Sequence, residues 1–323
     1  MAQTLSEIKQ LLADHGLRPK KKFGQNFLHD GNHMARIMEA AQLRPGDVVL
    51  EVGPGTGALT ERLVEAGASV VAVEIDRDMQ PILEARLGDK ITLHIGDALD
   101  GKHAINREVL RLLNTPLPMG ERQGVRGEAK PRDSADQSTQ NDRSSPDPSP
   151  QPSPAGRGGQ SSSHKTHASG PTFKLIANLP YNIASPLLGN LAIDHINMTA
   201  AVVMIQKEVA DRLLAGPGTK AYGPLGVLIQ ALFAVERVGV LRPGCFYPPP
   251  SIDSAVVAMH RRNEPLCEDA RALGALLHTL FSKRRKQLGS ILGRGALLPE
   301  FVEPTMRPEQ LTVEQLCVLA QQA

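Results

Sequence analysis

The run Ala177-Asn178-Leu179-Pro180-Tyr181-Asn182 holds residue types suited to gripping a planar amine. The amide oxygen of Asn178 can accept a hydrogen bond from an exocyclic N–H. Pro180 disfavours the helical region for Leu179, which keeps it extended and holds its carbonyl out as a second acceptor for the same group. Tyr181 sets a flat ring beside the pair. Together they suit a nucleobase whose amino nitrogen is to be alkylated. The same six residues also read as a strand-to-helix turn with Asn182 or Ser185 as the helix N-cap, so both readings stay open on this stretch alone.

Three more strand ends carry ligand-type residues. An apolar strand at 47–52 runs straight into Gly53-Pro54-Gly55-Thr56-Gly57 and a helical segment at 58–66. Glycines at such a junction let the backbone approach a nucleotide-like ligand at a helix N-terminus. The next strand, 69–75, contains Glu74, 21 residues after Gly53, where sheets of this kind put the carboxylate that grips a ribose diol. A third strand, 91–95, leads into Gly96-Asp97. Gly53-x-Gly55-x-x-Ala58 also satisfies a nicotinamide-dinucleotide fingerprint, so the glycines do not choose the cofactor. The Asn-Leu-Pro-Tyr run does, because gripping an amine has no role in hydride transfer and a clear one in methylating a base.

The elements that must position these residues alternate between strand and helix. Phe173-Lys174-Leu175-Ile176 reads as a buried strand leading to Asn178, where open α/β sheets bind their ligands. Residues 4–15 place Leu5, Ile8, Leu11 and Leu12 on one helical face, and 20–30 reads either as a ligand-covering loop or as a basic linker tucked under the core. Beyond the central motif come a helix at 185–194, a strand at 200–206, a helix at 207–215, and a segment at 227–233 that fits helix or strand equally. Strands at 235–241 and 254–260 frame Cys245-Phe246-Tyr247-Pro248-Pro249-Pro250. The prolines stiffen that loop, so Phe246 stands either as a second ring over a pocket or as a plug in the core. From Arg262 the pattern turns helical through Leu273, Leu276, Leu277 and Leu280 to Lys283-Arg284-Arg285-Lys286, as in a small helical domain with one basic stripe.

Residues 114–172 break this order. Leu117, Met119 and Val125 are the only large aliphatics in these 59 positions, among Pro, Ser, Gly and mixed charge. A segment of this composition cannot bury enough surface to offset its ordering entropy, so it reads as a disordered insertion. The expected organisation is therefore an N-terminal helix and basic arm (1–22), a main domain (23–261) interrupted at 114–172, and a helical domain (262–323).

Composition narrows the class. Across 323 residues, 36 Lys and Arg against 34 Asp and Glu leave a net charge of +2, too small for a strong global field. Local basic patches are a better guide to a polyanionic partner, and Lys20, Lys21 and Lys22 form one while Lys283, Arg284, Arg285 and Lys286 form another. Cys245, Cys267 and Cys317 are scattered, with no CxxC and no nearby paired His, which speaks for a reducing compartment and against a zinc site. No apolar run approaches a membrane span and the polar N-terminus has no signal-peptide core, so the expectation is a cytoplasmic chain.

With these pieces in place the chain resembles the small-subunit (16S) ribosomal RNA adenine N6,N6-dimethyltransferases. The resemblance rests on Lys22-Phe-Gly-Gln-Asn-Phe-Leu28, Glu51-Val-Gly-Pro-Gly-Thr-Gly-Ala-Leu-Thr60, Val73-Glu-Ile-Asp-Arg-Asp78, Gly96-Asp-Ala98 and Asn178-Leu-Pro-Tyr-Asn-Ile183. It continues through Gln206-Lys-Glu-Val209, Pro248-Pro-Pro250 with Asp253-Ser-Ala-Val256, and Arg284-Arg-Lys286, all in the family's order. It implies a seven-stranded, mostly parallel, Rossmann-like methyltransferase sheet with its last strand antiparallel, and a small all-helical C-terminal domain. It implies S-adenosylmethionine as cofactor, with no metal, held at Asn26, Leu28, Gly53, Glu74, Asp97 and Asn178, with Gly55 in the same loop. Glu74 would take the ribose hydroxyls and Asp97 the cofactor's adenine amine. By the same likeness Asn178, Leu179, Pro180 and Tyr181 form the target-base pocket and Phe246 the second stacking ring. The implied substrate is two adjacent adenosines in the 3'-terminal hairpin of 16S rRNA in the small ribosomal subunit, met by a monomer through its basic patches.

Three departures stand out: the long insertion, Ser251 where a basic residue is common, and an unusually basic 20–22. Large-subunit rRNA adenine methyltransferases tend to carry Asn-Ile-Pro-Tyr, so Leu179 and the Gln206-Lys-Glu context favour the small-subunit reading. DNA and protein-glutamine methyltransferases would carry Asn-Pro-Pro-Tyr. A non-catalytic RNA-binding assembly or transcription factor of this fold is disfavoured by the intact Gly53 loop, Glu74, Asp97 and Asn178.

The composition of the insertion yields a test. Replacing 116–170 by a short Gly/Ser linker is expected to leave both methyl transfer and the thermal midpoint nearly unchanged. Loss of more than about tenfold in turnover, roughly 1.4 kcal/mol of barrier, would show that the segment takes part.

Overall fold

Runs such as Val48-Val49-Leu50 and Val70-Val71-Ala72-Val73 carry no polar alternation, so they are stable only where both faces of a sheet are covered. In the computed structural model, which describes residues 3–101, 104–115, 171–293 and 298–322, they form the middle of such a sheet. The expected insertion lies almost wholly outside the described residues.

In chain order, α1 (Leu5–Asp14) precedes β1 (Phe27–Leu28), α2 (Gly31–Ala41), β2 (Val48–Val52), α3 (Ala58–Glu65), β3 (Ser69–Glu74), α4 (Gln80–Leu87), β4 (Ile91–Ile95) and α5 (Arg107–Asn114). Then follow β5 (Phe173–Asn178), α6 (Ala184–Asp194), β6 (Met198–Gln206), α7 (Lys207–Leu214), α8 (Pro224–Leu232), β7 (Phe233–Leu241), β8 (Phe246–Tyr247) and β9 (Ser254–Arg261). Three helices close the chain: α9 (Ala270–Ser282), α10 (Leu288–Leu292) and α11 (Val313–Gln322).

The main sheet has seven strands in the order β4-β3-β2-β5-β6-β9-β7. Five neighbouring strands, β4 to β6, pair in parallel, and β9, the last strand of the chain, runs antiparallel to both β6 and β7. This is the mostly parallel sheet with a reversed last strand that the resemblance implies. From β2 the chain winds outward through β3 to β4, then returns to add β5 on the other side of β2. The loops after β2 and β5 therefore part in opposite directions, which opens a crevice at their carboxyl ends.

Segment 227–233, ambiguous in sequence, belongs to α8 as far as Leu232. Its Val227, Leu228, Ile229, Ala231 and Leu232 are all buried, so neither a period of two nor one of 3.6 shows in its pattern. Helices α8, α9 and α11 share one hydrophobic cluster with the sheet, where Leu228, Leu273, Leu277 and Leu316 join Leu175 and Val203. Lys283–Lys286 does not form a stripe on a helix; it makes the turn between α9 and α10. Arg284 explains the difference, since its guanidinium donates to the carbonyls of Thr219 and Lys220, both at 3.0 Å, and pairs with Glu309 at 3.6 Å. Among the described residues no helix is long and apolar enough to cross a membrane.

Helix α1 starts on a capping box, in which Glu7 N–H donates to Thr4 Oγ1 at 3.3 Å and Thr4 N–H to Glu7 Oε2 at 2.6 Å. It buries Ile8 and Leu12 against Met79, Ile82 and Leu83. Just before it, the buried Gln3 amide bridges the glycine-rich loop to α4: with its nitrogen 2.7 Å from Thr56 Oγ1, its oxygen accepts from Arg86 at 2.6 and 2.9 Å. Gln3→Ala leaves the buried Thr56 hydroxyl unpaired, so it is expected to lower stability by about 1–3 kcal/mol in urea denaturation. An unchanged midpoint would show that this bridge does not hold the loop.

Candidate active site

A cavity of about 230 Å³ opens at the carboxyl ends of β2, β3, β4 and β5. It gathers Asn26, Leu28, Gly53, Gly55, Glu74, Asp97, Asn178, Leu179, Pro180 and Tyr181, ten of the eleven residues that the sequence offers for a cofactor and a base. Phe246 is not among the lining residues. It is 3% exposed and packs in the cluster of Leu28, Met34 and Ile37, because β8 pairs antiparallel with β1 and sets Phe246 opposite Leu28. In the structure the ring backs the cavity wall.

Gly53, Gly55 and Gly57 have φ of 78°, 57° and 81°, the left-handed region that glycine enters without a Cβ clash. At Gly55 a Cβ would also stand 2.8 Å from the Phe27 ring, so the loop needs both the conformation and the space. The Gly55 N–H donates to Glu74 Oε2 at 3.2 Å, and the Asp76 N–H donates to Glu74 Oε1 at 2.8 Å. Two amides thus orient the Glu74 carboxylate and leave each oxygen able to accept once more, as a vicinal diol requires. Burial pushes the Glu74 carboxyl above its ordinary range, against the pull of the Asp76 and Gly55 amides. Asp97 is exposed at the rim, with Oδ1 accepting from the Leu99 N–H at 2.9 Å.

Asn178 gives its amide N–H to the Asn26 carbonyl at 2.9 Å. That bond decides the orientation of the side chain: the nitrogen is spent on the backbone, and the amide oxygen remains to accept a proton from a ligand. Leu179 continues the ladder, its N–H on the Met204 carbonyl at 3.0 Å, and Pro180 packs against Gly53. Tyr181 follows in a turn, half-buried, and its hydroxyl lies 2.6 Å from Ser254 Oγ. Burial raises the Tyr181 hydroxyl above its usual range, which keeps the ring neutral; the Ser254 bond opposes that rise.

Glu51 is the residue that sequence reasoning left without a role. It sits inside β2, lines the cavity at 1% exposure, and its Oε2 has no hydrogen-bond partner among the described residues. Burial pushes its carboxyl up to about 8, the Thr60 hydroxyl pulls the other way, and the charge of Glu74 adds to the rise. The available signal was one acid in the apolar run Val48-Val-Leu-Glu-Val52. A buried carboxyl with one oxygen left without a partner, in a residue that lines a cavity, is a costly group in need of a compensating charge or donor.

The basic residues divide. Lys20 is drawn inward, bonded to Asp76 at 2.6 Å and to Asp78, while Lys21 and Lys22 stay exposed and Lys22 lies over the Phe23 ring. Lys283, Arg285 and Lys286 are exposed, and Arg284 spends its donors on the turn. The fold also gathers Asp30, His33 and Cys245, with donor atoms within 4.8 Å of one another, a set that the scattered cysteines did not suggest. Asp30 is already engaged, since it caps α2 through the His33 N–H at 2.9 Å and takes the Cys245 thiol at 3.8 Å.

Residues 16–322 match the profile of the family described as Ribosomal RNA adenine dimethylase. A Syntrophotalea carbinolica protein named Ribosomal RNA small subunit methyltransferase A is 36% identical over 316 residues, covering 94% of this chain and 96% of its own. A Ralstonia nicotianae protein of the same name is 34% identical over 297 residues, covering 91% and 83%. Among solved structures, a dimethyladenosine transferase from Plasmodium falciparum aligns with a TM-score of 0.55 at 24% identity over 82% of this chain and 74% of its own. The 23S rRNA methyltransferase ErmE aligns with a TM-score of 0.57 at 23% identity over 92% and 99%. At these identities the two structures establish the fold alone.

Glu51 sets a measurable pH dependence. Its carboxyl ionises above about 4.5 in the unfolded chain and near 8 in the folded one, so between these values the folded state binds the extra proton. Stability therefore falls as pH rises through that window, and the whole penalty is in place above it. Glu51→Gln is expected to raise the thermal midpoint by several degrees at the alkaline end and to change little at the acid end, read by calorimetry without cofactor. A difference between wild type and variant that does not grow with pH would show that the carboxyl is not held neutral.

Proposed function

The chain belongs to the ribosomal RNA adenine dimethylase family, and on that premise we propose that it transfers methyl groups from S-adenosylmethionine to N6 of two adjacent adenosines in the 3'-terminal hairpin of 16S rRNA. The product is N6,N6-dimethyladenosine, made during assembly of the small ribosomal subunit in the cytoplasm by a monomer. The observation that carries this reading is the Asn178 amide, held by the Asn26 carbonyl beside the Gly53–Gly57 loop with its oxygen left to accept from an amine.

The cofactor, when bound, supplies a methyl group already activated on a sulfonium, so the protein's task is placement. In this reading Glu74 holds the ribose hydroxyls, Asp97 the adenine amine, and Gly53, Gly55, Asn26 and Leu28 line the rest of the cofactor's bed. The unpartnered Oε2 of Glu51 beside the cavity supports it, because a nearby cation favours the ionised form of a buried carboxyl. Asn178 Oδ1 and the Leu179 carbonyl accept the two N6–H bonds of the target adenine, which favours a pyramidal amine and localises its lone pair. Pro180 keeps Leu179 extended for this. The methylated nitrogen is acidic and loses its proton to water, so no strong base is needed. Stacking on Tyr181 holds the extruded base at roughly 1–3 kcal/mol. Phe246 supports the wall behind Leu28, and stacking directly on the base would require it to leave its cluster.

The small-subunit target is favoured over the large-subunit one by the relatives, which match at 34–36% identity across most of both chains and carry the small-subunit name. Fold likeness does not separate the two, since the 23S enzyme aligns as well as the dimethyladenosine transferase. A non-catalytic role is disfavoured by the intact set of cavity residues. For the RNA backbone we assign the exposed Lys21, Lys22, Lys283, Arg285 and Lys286; Lys20 and Arg284 are used inside the protein.

Nucleoside mass spectrometry of small subunits lacking the modification, incubated with enzyme and cofactor, tests the reaction: dimethyladenosine is expected there, and product only in large-subunit RNA would overturn the target. In the same assay Asn178→Ala is expected to cut transfer by more than a hundredfold, about 2.7 kcal/mol, with RNA affinity nearly intact. Arg285→Ala with Lys286→Ala is expected to flatten the log-log salt dependence of RNA binding by up to about 0.7–0.9 for each phosphate no longer neutralised, while Arg284→Ala lowers stability and leaves the slope alone. Identical slopes for the double variant and wild type would retire the docking assignment.

A further inference from the structure

We infer that Ser254 is a positioning residue for Tyr181, its hydroxyl fixing the far end of the ring on which the target base lies. Two residues far apart in sequence meet here, one held rigidly and one not. Ser254 opens β9 at 0% exposure, in register with Gln206 of β6 on one side and Leu241 of β7 on the other. Its backbone is clamped from both flanks, and its Oγ is a fixed point. Tyr181 lies in the turn after β5, between the ladder bond of Leu179 and the turn bond from the Ile183 N–H to the Pro180 carbonyl at 3.1 Å. A ring on a turn can swing about its first side-chain torsion, which carries the hydroxyl with it. With that hydroxyl 2.6 Å from Ser254 Oγ, the long axis of the ring is held in place.

The chemistry of β9 makes the same point. The strand reads Ser254-Ala-Val-Val-Ala258, and Ser254 is its one fully buried polar side chain. A hydroxyl in that place is costly unless bonded, and Tyr181 is the partner it has. What the tether secures is alignment. In-line displacement at a sulfonium tolerates little misplacement of the attacking nitrogen, and here the same nitrogen must be presented twice, the second time carrying a methyl group. A ring that swings moves N6 off that line without touching the cofactor.

This inference rests on the reading of Tyr181 as the base platform, and the test separates the two. Initial rates and KM for cofactor and for small subunits are measured for Ser254→Ala, Ser254→Thr, Tyr181→Phe, Tyr181→Ala and the Ser254→Ala/Tyr181→Phe double variant. Ser254→Ala and Tyr181→Phe are each expected to lower kcat about tenfold with cofactor KM unchanged, and the double variant to fall no further, since both remove one bond. Ser254→Thr keeps the hydroxyl and is expected to recover most of the rate. If Ser254→Ala costs the same factor on the Tyr181→Phe background as on wild type, it acts elsewhere and the inference is overturned. It also falls if Ser254→Ala turns over normally while Tyr181→Ala does not, an outcome that leaves the platform reading standing. Normal turnover by Tyr181→Ala would remove the platform itself.

Discussion

Leu50 of β2 stands opposite Leu175 of β5, and the site depends on that register. The two strands come from distant parts of the chain, yet their parallel pairing sets the glycine loop and Asn178 side by side at one edge of the sheet. Side chains alternate faces along a strand, so a slip of one residue would turn Asn178 to the opposite face and take Leu175 and Ala177 out of their cluster. Burial of Leu50, Leu175 and Ala177 in a single cluster penalises the slip strongly. The hydrogen bond from Asn178 to the Asn26 carbonyl then adds a third partner, the strap that carries β1, and brings Leu28 over the same cavity.

Charge in the crevice is arranged with similar economy. Burial holds the carboxyls of Glu51 and Glu74 above their ordinary range. Asp76, two residues beyond Glu74, goes the other way: burial raises it, and the bonds from Lys20 and Gln25 more than offset that rise. Lys20 thus pairs with the acid next to the strand end, although the charge of Asp76 still adds to the rise at Glu74. The basic arm therefore divides: Lys20 is held by Asp76, while Lys21 and Lys22 are exposed.

The outer rim shows how one residue type serves different ends. Arg284 satisfies two backbone carbonyls in the 219–220 segment and pairs with Glu309, tying the turn after α9 to both. With that turn closed, Lys283, Arg285 and Lys286 face solvent. Aromatic rings divide likewise: Tyr181 stays in the cavity because its turn has no ladder to bury it, and Phe246 leaves because β8 joins β1 and turns the ring toward α2.

Sequence by itself determined the strand-to-loop junctions and the residues placed there. Gly53, Gly55, Glu74, Asp97 and Asn178 were legible because a strand's apolar run and the polar residue that ends it are neighbours in the chain, and local chemistry reports them. Most element bounds followed from the same local signal, to within a few residues. Tertiary structure decided what depends on partners far away in sequence. Glu51 had no role in the sequence until both faces of β2 were covered. Phe246 stood open between two roles until β8 found β1. Lys20 and Arg284 read as free cations until Asp76 and the 219–220 carbonyls came within reach, and Ser254 had no evident purpose until β9 brought it to Tyr181. Periodicity and turn chemistry are properties of a short window. Burial and partnership belong to the whole packing, and no window of the chain contains both members of these pairs.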